Sequence, residues 1–424
     1  MRRASRTLAV ATLTALWIAA GCASLTQLLR ARSHVAQLPD SRFLRGTIEL
    51  DGAVGDEDLV IVAVHEETLA PVSFQVAPSG SSWWLVTGPG RYRVAAFSDR
   101  NRDRVRQPGE PAILLDEPRV VDVRERVLQD DLDLLVSTDS NAELGFPLDL
   151  SEPDLDVPVR LGPTDLGTVM PLEAQRFSPE SGRRGLWEPL SFMQDTGGGI
   201  FFLEPYDPDR TPVLFVHGSG GNPQEFTALI AALDRDRFQP WLGQYPSALR
   251  LEQVADGMAA GLEALHEAYG FERLVLVAHS MGGLVSRAYL NDRARRPSGY
   301  RVELFVTFAT PWAGHAAAEA GVERSPVVIP SWRDIRPGSH FVQDLFETPL
   351  PEHTEHHLFF AFEGHRRGGA TAGANDGVVA VASQLSPEAQ AGSARVRGLP
   401  ESHTGIIRSP AAAKALNALL AAHD

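Results

Sequence analysis

The stretch Leu274-Val275-Leu276-Val277-Ala278-His279-Ser280-Met281-Gly282-Gly283 decides the reading of this chain. Its first five residues are a continuous apolar run, the signature of a strand buried on both faces. From Met281 to Asn291 the pattern changes to that of a helix. Ser280 sits at the junction, with Ala278 two residues before it and Gly282 two residues after. Small residues at those places let a strand turn sharply into a helix. The turn holds the serine hydroxyl exposed above the end of the strand. The helix then aims its first N–H groups at any negative charge that develops there.

Working outward, the same alternation continues on both sides. Gly199–Leu203, Pro212–Val216, Phe238–Tyr245, Val302–Ala309, Leu358–Phe362 and Ala394–Gly398 read as strands, and Leu251–Tyr269 and Ala411–Ala422 as helices. Apolar strands separated by helices predict a mostly parallel sheet covered on both faces.

Three further segments place chemistry beside Ser280. The strand ending at Val216 runs into His217-Gly218-Ser219-Gly220-Gly221. A glycine-rich loop at a strand end can bring a backbone N–H close to a substrate oxygen, so the N–H groups of Ser219 and Met281 are the expected oxyanion donors. Gly218 and Gly282 are the glycines the loop and the elbow need. Asn222, Pro223 and Glu225 read as a helix cap, first turn and capping box. Asp376, in Asn375-Asp376-Gly377, and His403, in Ser402-His403-Thr404, each follow a strand. Ser280, Asp376 and His403 therefore appear in the chain order of a Ser-Asp-His hydrolase. Glu363 and Asp344 are the alternative acids. His217 and His279 are read as structural neighbours of the two turns. His353, His356 and His357 are read as a solvated loop without a metal, since they lack a metalloprotease frame.

These motifs resemble the lipase and esterase branch of the α/β-hydrolase superfamily. The His-Gly loop and the Ala-His-Ser-Met-Gly-Gly elbow look like those of Bacillus-type lipases. The Thr310-Pro311 pair resembles lipases and lipid-anchor deacylases. The resemblance covers residues 186–424 and implies an α/β-hydrolase fold, no cofactor, and a lipid or small ester substrate. Trp312–Leu350 is longer than a simple crossover, and reads either as a cap over an acyl pocket or as an ordinary helical connection.

The rest of the chain reads differently. Arg2, Arg3 and Arg6 precede a short apolar run from Thr7 to Ala20, too short for a span of ~20 residues but suited to a signal peptide. Ala19-Ala20-Gly21-Cys22 resembles a bacterial lipobox, so residues 1–21 are read as a lipoprotein signal and Cys22 as the lipidated residue. Ala23, rather than aspartate, then implies an outer-membrane address. Cys22 is the single cysteine, which excludes disulfides within the chain. Residues 22–42 read as a tether. Residues 43–136 read as a β-sandwich-like domain of short strands, and 137–185 as an acidic, proline-rich linker. Asp130 to Pro158 carries nine acids and no base. Within the β domain, Asp99, Asn101, Asp103 and Glu110 fall at positions one, three, five and twelve of a calcium-loop frame. Arg104, however, stands where that frame wants glycine.

Composition excludes some functions. The 424 residues are 43% hydrophobic and 22% charged, an ordinary globular balance. The net charge is −15, and removing three signal-segment arginines makes it −15 − 3 = −18. Such a surface does not suit a general nucleic-acid binder. The expected function is a membrane-anchored serine hydrolase of carboxylic esters. An acyltransferase, thioesterase or amidase using the same residues, and a catalytically silent binding lipoprotein, are the rival readings. Oligomeric state is not encoded in these motifs.

Overall fold

A computed structural model describes residues 42–51, 58–116, 119–124, 128–129, 132–137, 144–151, 166–295, 298–364 and 373–423. The signal segment, Cys22 and the tether before Arg42 lie outside the described residues.

Among the described residues, the N-terminal unit has nine strands: β1 (Arg42–Asp51), β2 (Asp58–His65), β3 (Pro71–Pro78), β4 (Ser81–Thr87), β5 (Arg91–Asp99), β6 (Ala112–Leu114), β7 (Val121–Asp122), β8 (Leu128–Gln129) and β9 (Leu134–Ser137). They form two sheets. One is centred on β1, with β4, β8 and β9 paired to it; the other runs β3-β2-β5-β6, with β7 also on β5. Strand β1 alternates buried and exposed residues from Gly46 onward, as a half-covered strand should. Leu44, Ile48, Trp83 and Leu85 from the first sheet meet Leu59, Ile61, Val94 and Ala96 from the second in one core. This is the expected sandwich.

The acidic stretch is less of a linker than its composition suggests. Leu144, Leu148 and Leu150 pack onto Val60, Val62 and Phe97 of the second sheet, and Asp149 bridges to Val105. At its other end, residues from Leu166 onward already belong to the C-terminal unit. Gly167 donates its N–H to the Ile200 carbonyl, Val169 pairs with Phe202, and Phe177 is fully buried in that unit's core. The boundary expected at residue 186 therefore moves to about residue 166. The reason is long-range packing, which a charge count does not register.

Among the described residues, the C-terminal unit is built on seven strands: β10 (Gly199–Phe202), β11 (Thr211–Val216), β12 (Phe238–Gln244), β13 (Arg273–His279), β14 (Arg301–Phe308), β15 (Glu355–Ala361) and β16 (Arg395–Leu399). Their spatial order is β10-β12-β11-β13-β14-β15-β16. Only β10 runs antiparallel to its neighbour; the other pairs are parallel. Residues Leu274–His279 of β13 are all buried, because helices cover both faces. Helices Leu251–Tyr269 and Met281–Arg295 bury Leu262, Leu284 and Leu290 on one face. Helix Pro410–Leu420 buries Ala412, Leu416 and Leu420 on the other. Phe43 and Val86 of the sandwich pack into the first of these cores, so the two units share apolar surface.

Candidate active site

The C-terminal ends of β11, β13 and β15 point to one edge of the sheet, and the predicted site residues collect there. Strand β13 ends at His279, and Ser280 follows with φ of 55°, in the left-handed region that L-residues avoid. Its N–H donates to the Phe308 carbonyl (2.9 Å), which pins the strained residue to β14. The elbow's glycines have steric reasons. A Cβ on Gly282 would lie 2.3 Å from the Val216 carbonyl oxygen, and one on Gly283 would lie 2.1 Å from Thr310 Oγ1. Gly218 must also lack a side chain, since a Cβ there would come within 2.8 Å of Ser280 Cβ.

Ser280, His403 and Asp376 stand in hydrogen-bonded series. His403 Nε2 lies 2.9 Å from Ser280 Oγ, and His403 Nδ1 lies 2.7 Å from Asp376 Oδ2. All partners of the Asp376 carboxylate are N–H groups. Oδ1 accepts from Val378 and Val379 (2.9 and 2.7 Å), and Oδ2 accepts from His403 and from Gln384 Nε2 (3.0 Å). The proton of His403 therefore sits on Nδ1, which leaves the Nε2 lone pair for the serine O–H. The main chain holds the ring in register: the His403 N–H donates to the Asp376 carbonyl, and the His403 carbonyl accepts from His279 Nε2 (2.9 Å). Asp376 and His403 are almost fully buried. The alternative acids, Glu363 and Asp344, are exposed and make no such contact.

Ser219 and Met281 border the same cavity as the Ser280 hydroxyl. Met281 opens its helix, so its N–H has no partner within that helix. The cavity measures about 960 Å³ including its open mouth, and Trp332, Ile335, Ala318 and Val378 supply much of its apolar wall. The long insert both packs in the core and lines the cavity. Three short helices span Ala316–Arg324, Pro330–Ile335 and His340–Asp344. Val327, Ile329 and Phe341 pack in the core, while Trp332 and Ile335 face the cavity.

His217 and His279 are buried framework, as expected. The His217 ring stacks on Tyr245 at 4.1 Å, and the Tyr245 hydroxyl donates to the His217 carbonyl. Burial pushes His217 down to about 4 and His279 down to about 3, so both rings are neutral near pH 7.

Several residues depart from the sequence reading. Pro223 opens a 3-10 turn rather than an α-helix, and Asn222 makes no side-chain cap bond to it. Glu225 does bond the Asn222 backbone, as the expected box requires, and it also lines the cavity wall, where burial raises its pKa and the Arg408 charge opposes that rise. His356 and His357 are not in a solvated loop. They are buried on β15, His356 between Thr307 Oγ1 and Ser393 Oγ (both 2.9 Å). Periodicity missed this because two adjacent histidines look polar, yet a central parallel strand buries both faces. In the calcium-loop frame, Asp99 accepts N–H bonds from Asp103 and Arg104, and Glu110 accepts them from Arg100 and Gln107.

Gln384 and His315 are site residues that no motif announced. Gln384 is fully buried and ties Asp376 to the end of β15 through the Ala361 N–H and carbonyl. His315 lines the cavity, accepts the Ala317 N–H at Nδ1 (3.0 Å), and is held by burial at about 4. Neither residue lies in a local pattern, so only the folded chain reveals them.

The family model for the alpha/beta hydrolase fold matches residues 211–299.

The chain has the α/β-hydrolase fold.

Solved structures similar to this chain include a mature lipase of Bacillus licheniformis, at 19% identity and a TM-score of 0.41, covering 52% of this chain and 97% of that one. A monoacylglycerol lipase of Paleococcus ferrophilus is similar at 15% identity and a TM-score of 0.37, covering 51% and 96%. No curated protein matches the sequence.

Proposed function

We propose that this α/β hydrolase cleaves carboxylic esters through an acyl-enzyme on Ser280. The observation that carries this reading is the unbroken chain from Ser280 Oγ through His403 to Asp376, at 2.9 and 2.7 Å. In this scheme His403 Nε2 takes the serine proton as Oγ attacks the carbonyl carbon, a form of assistance worth ~10²–10⁴-fold. Asp376 holds the Nδ1 tautomer and stabilises the imidazolium that forms. The Ser219 and Met281 N–H groups receive the oxyanion; a donor of this kind is typically worth ~2.7–4 kcal/mol. His403 returns its proton to the leaving alcohol, and then activates the water that releases the acid. The apolar wall formed by Trp332, Ile335 and Val378 favours an ester with a hydrocarbon acyl group.

The sequence supports a location for this chemistry. The lipobox-like Ala19-Ala20-Gly21-Cys22 makes the protein an envelope lipoprotein, and Cys22→Ala should release it from the membrane fraction. The catalytic reading is tested with p-nitrophenyl esters from acetate to palmitate. Wild type should hydrolyse part of the series, and Ser280→Ala should lose at least ~10⁴-fold in kcat. A folded wild-type protein inert to every ester would overturn the reading.

A further inference from the structure

A second cluster of ionisable side chains lies at the opposite edge of the main sheet. Glu355 begins β15, whose other end, at Ala361, lies near the catalytic edge. Six residue steps separate those ends by about 20 Å. Glu355 Oε1 lies 2.6 Å from His357 Nε2, and Glu355 Oε2 lies 3.2 Å from His423 Nε2. Among the described residues, this is the one group of three His, Cys, Asp or Glu side chains whose ligand atoms converge within 4.8 Å.

The protonation of His423 makes the cluster informative. Its Nδ1 is 2.9 Å from the Leu419 carbonyl oxygen, which has no hydrogen to give. Nδ1 therefore carries the proton, and in a neutral ring Nε2 is a bare lone pair. That lone pair faces a carboxylate oxygen, so two acceptors confront each other. Either a proton or a metal ion between them resolves the conflict. A ring nitrogen fixed in this way, with its other N–H given to a backbone carbonyl, is the usual outer-shell arrangement of a metal-binding histidine. His357 meets the cluster through Nε2, 2.6 Å from Glu355 Oε1; its buried Nδ1 has no hydrogen-bond partner, so in the neutral ring Nε2 holds the hydrogen that an incoming ion displaces.

We propose that Glu355, His357 and His423 form a structural zinc-type site that fastens the C-terminal segment to β15. Two imidazoles and one carboxylate are a donor set for Zn²⁺, with water as fourth ligand. Ca²⁺ and Mg²⁺ want more oxygen donors than the cluster offers. At ordinary Zn–N and Zn–O lengths, tetrahedral ligand atoms sit about 3.4 Å apart. Small side-chain rotations open the present 2.6 and 3.2 Å contacts to that spacing. His423 follows the final helix, Pro410–Leu420, so the ion would link that helix to the sheet independently of the Ser280 chemistry.

The test is calorimetric titration of the full chain with ZnCl₂ after chelator treatment, together with melting curves. Wild type should bind one equivalent, and excess zinc should raise its Tm by about 5 °C. His423→Ala and Glu355→Gln should each weaken binding by at least ~10-fold and abolish the Tm rise. Both variants should melt like wild type in chelator, which separates loss of the site from loss of the fold. Ester hydrolysis should be unchanged in both, so failure of the zinc proposal leaves the catalytic reading standing. No response of the wild type to 1 mM zinc would show that a proton alone serves the cluster. Equal binding by both variants would place the ion elsewhere. Either result overturns the proposal.

Discussion

At the scale of single residues, the elbow stores strain where the chemistry needs a projecting hydroxyl. Ser280 has φ of 55°, a region that costs an L-residue roughly 1–2 kcal/mol. Glycine escapes most of that cost and alanine does not. Ser280→Gly and Ser280→Ala should therefore both be inactive, with the glycine variant more stable by about 1 kcal/mol. Thermal denaturation of the pair decides this. Equal melting temperatures would mean that the turn is unstrained. The residue scale is also where the sequence was most legible. Ala278, Ser280, Gly282 and Gly283 announce themselves because the constraint on each is local. Asp376 and His403 were legible through chain order. Gln384 was not, because its role is to join two segments that only the fold brings together.

At the scale of elements, the cavity roof comes from the insert after β14. Trp332 lies against Trp187 edge to face, with centroids 5.8 Å apart. It also sits close enough to Gly321 that a Cβ there would lie 2.6 Å from the indole ring. Asp334, two residues on and buried, accepts the Leu251 N–H (2.8 Å) and pairs with Arg250, which anchors the roof to the neighbouring helix. Trp332→Ala should enlarge the cavity without disturbing the hydrogen-bonded series at Ser280. The expected result is a preference for longer or bulkier acyl chains and a higher KM for short ones, read from kcat/KM across an ester series. An unchanged chain-length profile would remove Trp332 from the acyl site. Strands and long helices were legible at this scale, since continuous apolar runs and 3.6-residue spacing are strong signals. The Asn222–Glu225 cap was legible by half: Glu225 bonds the Asn222 backbone, while the Asn222 side chain caps nothing and the turn is 3-10.

At the scale of the whole molecule, burial of neutral histidines ties stability to pH. His217 and His279 titrate at about 4 and about 3 in the native protein, against ~6.5 when unfolded. Below pH ~6.5 the unfolded chain binds protons that the native chain refuses. Their stabilising contribution is thus complete above pH ~6.5 and is lost as pH falls toward 4 and 3, by up to a few kcal/mol each. Melting temperature should drop across that window, and His217→Gln should flatten the drop. A pH-independent Tm between 6.5 and 4 would contradict the burial of these rings. Domain boundaries were the least legible feature at this scale. Residues 137–185 look like spacer by composition, yet Leu144, Leu148 and Leu150 belong to one core and Phe177 to another.

The main-chain bonds at His403 carry one more consequence. Its N–H is held by the Asp376 carbonyl and its carbonyl by His279, so the loop is fixed by its backbone and not by the imidazole. Cutting the ring away in His403→Gly should leave an imidazole-shaped vacancy flanked by an intact acceptor and an intact nucleophile. Free imidazole added to that variant should occupy the vacancy and restore turnover in a saturable way. Such chemical rescue would turn the enzyme into one switched on by a small diffusible base.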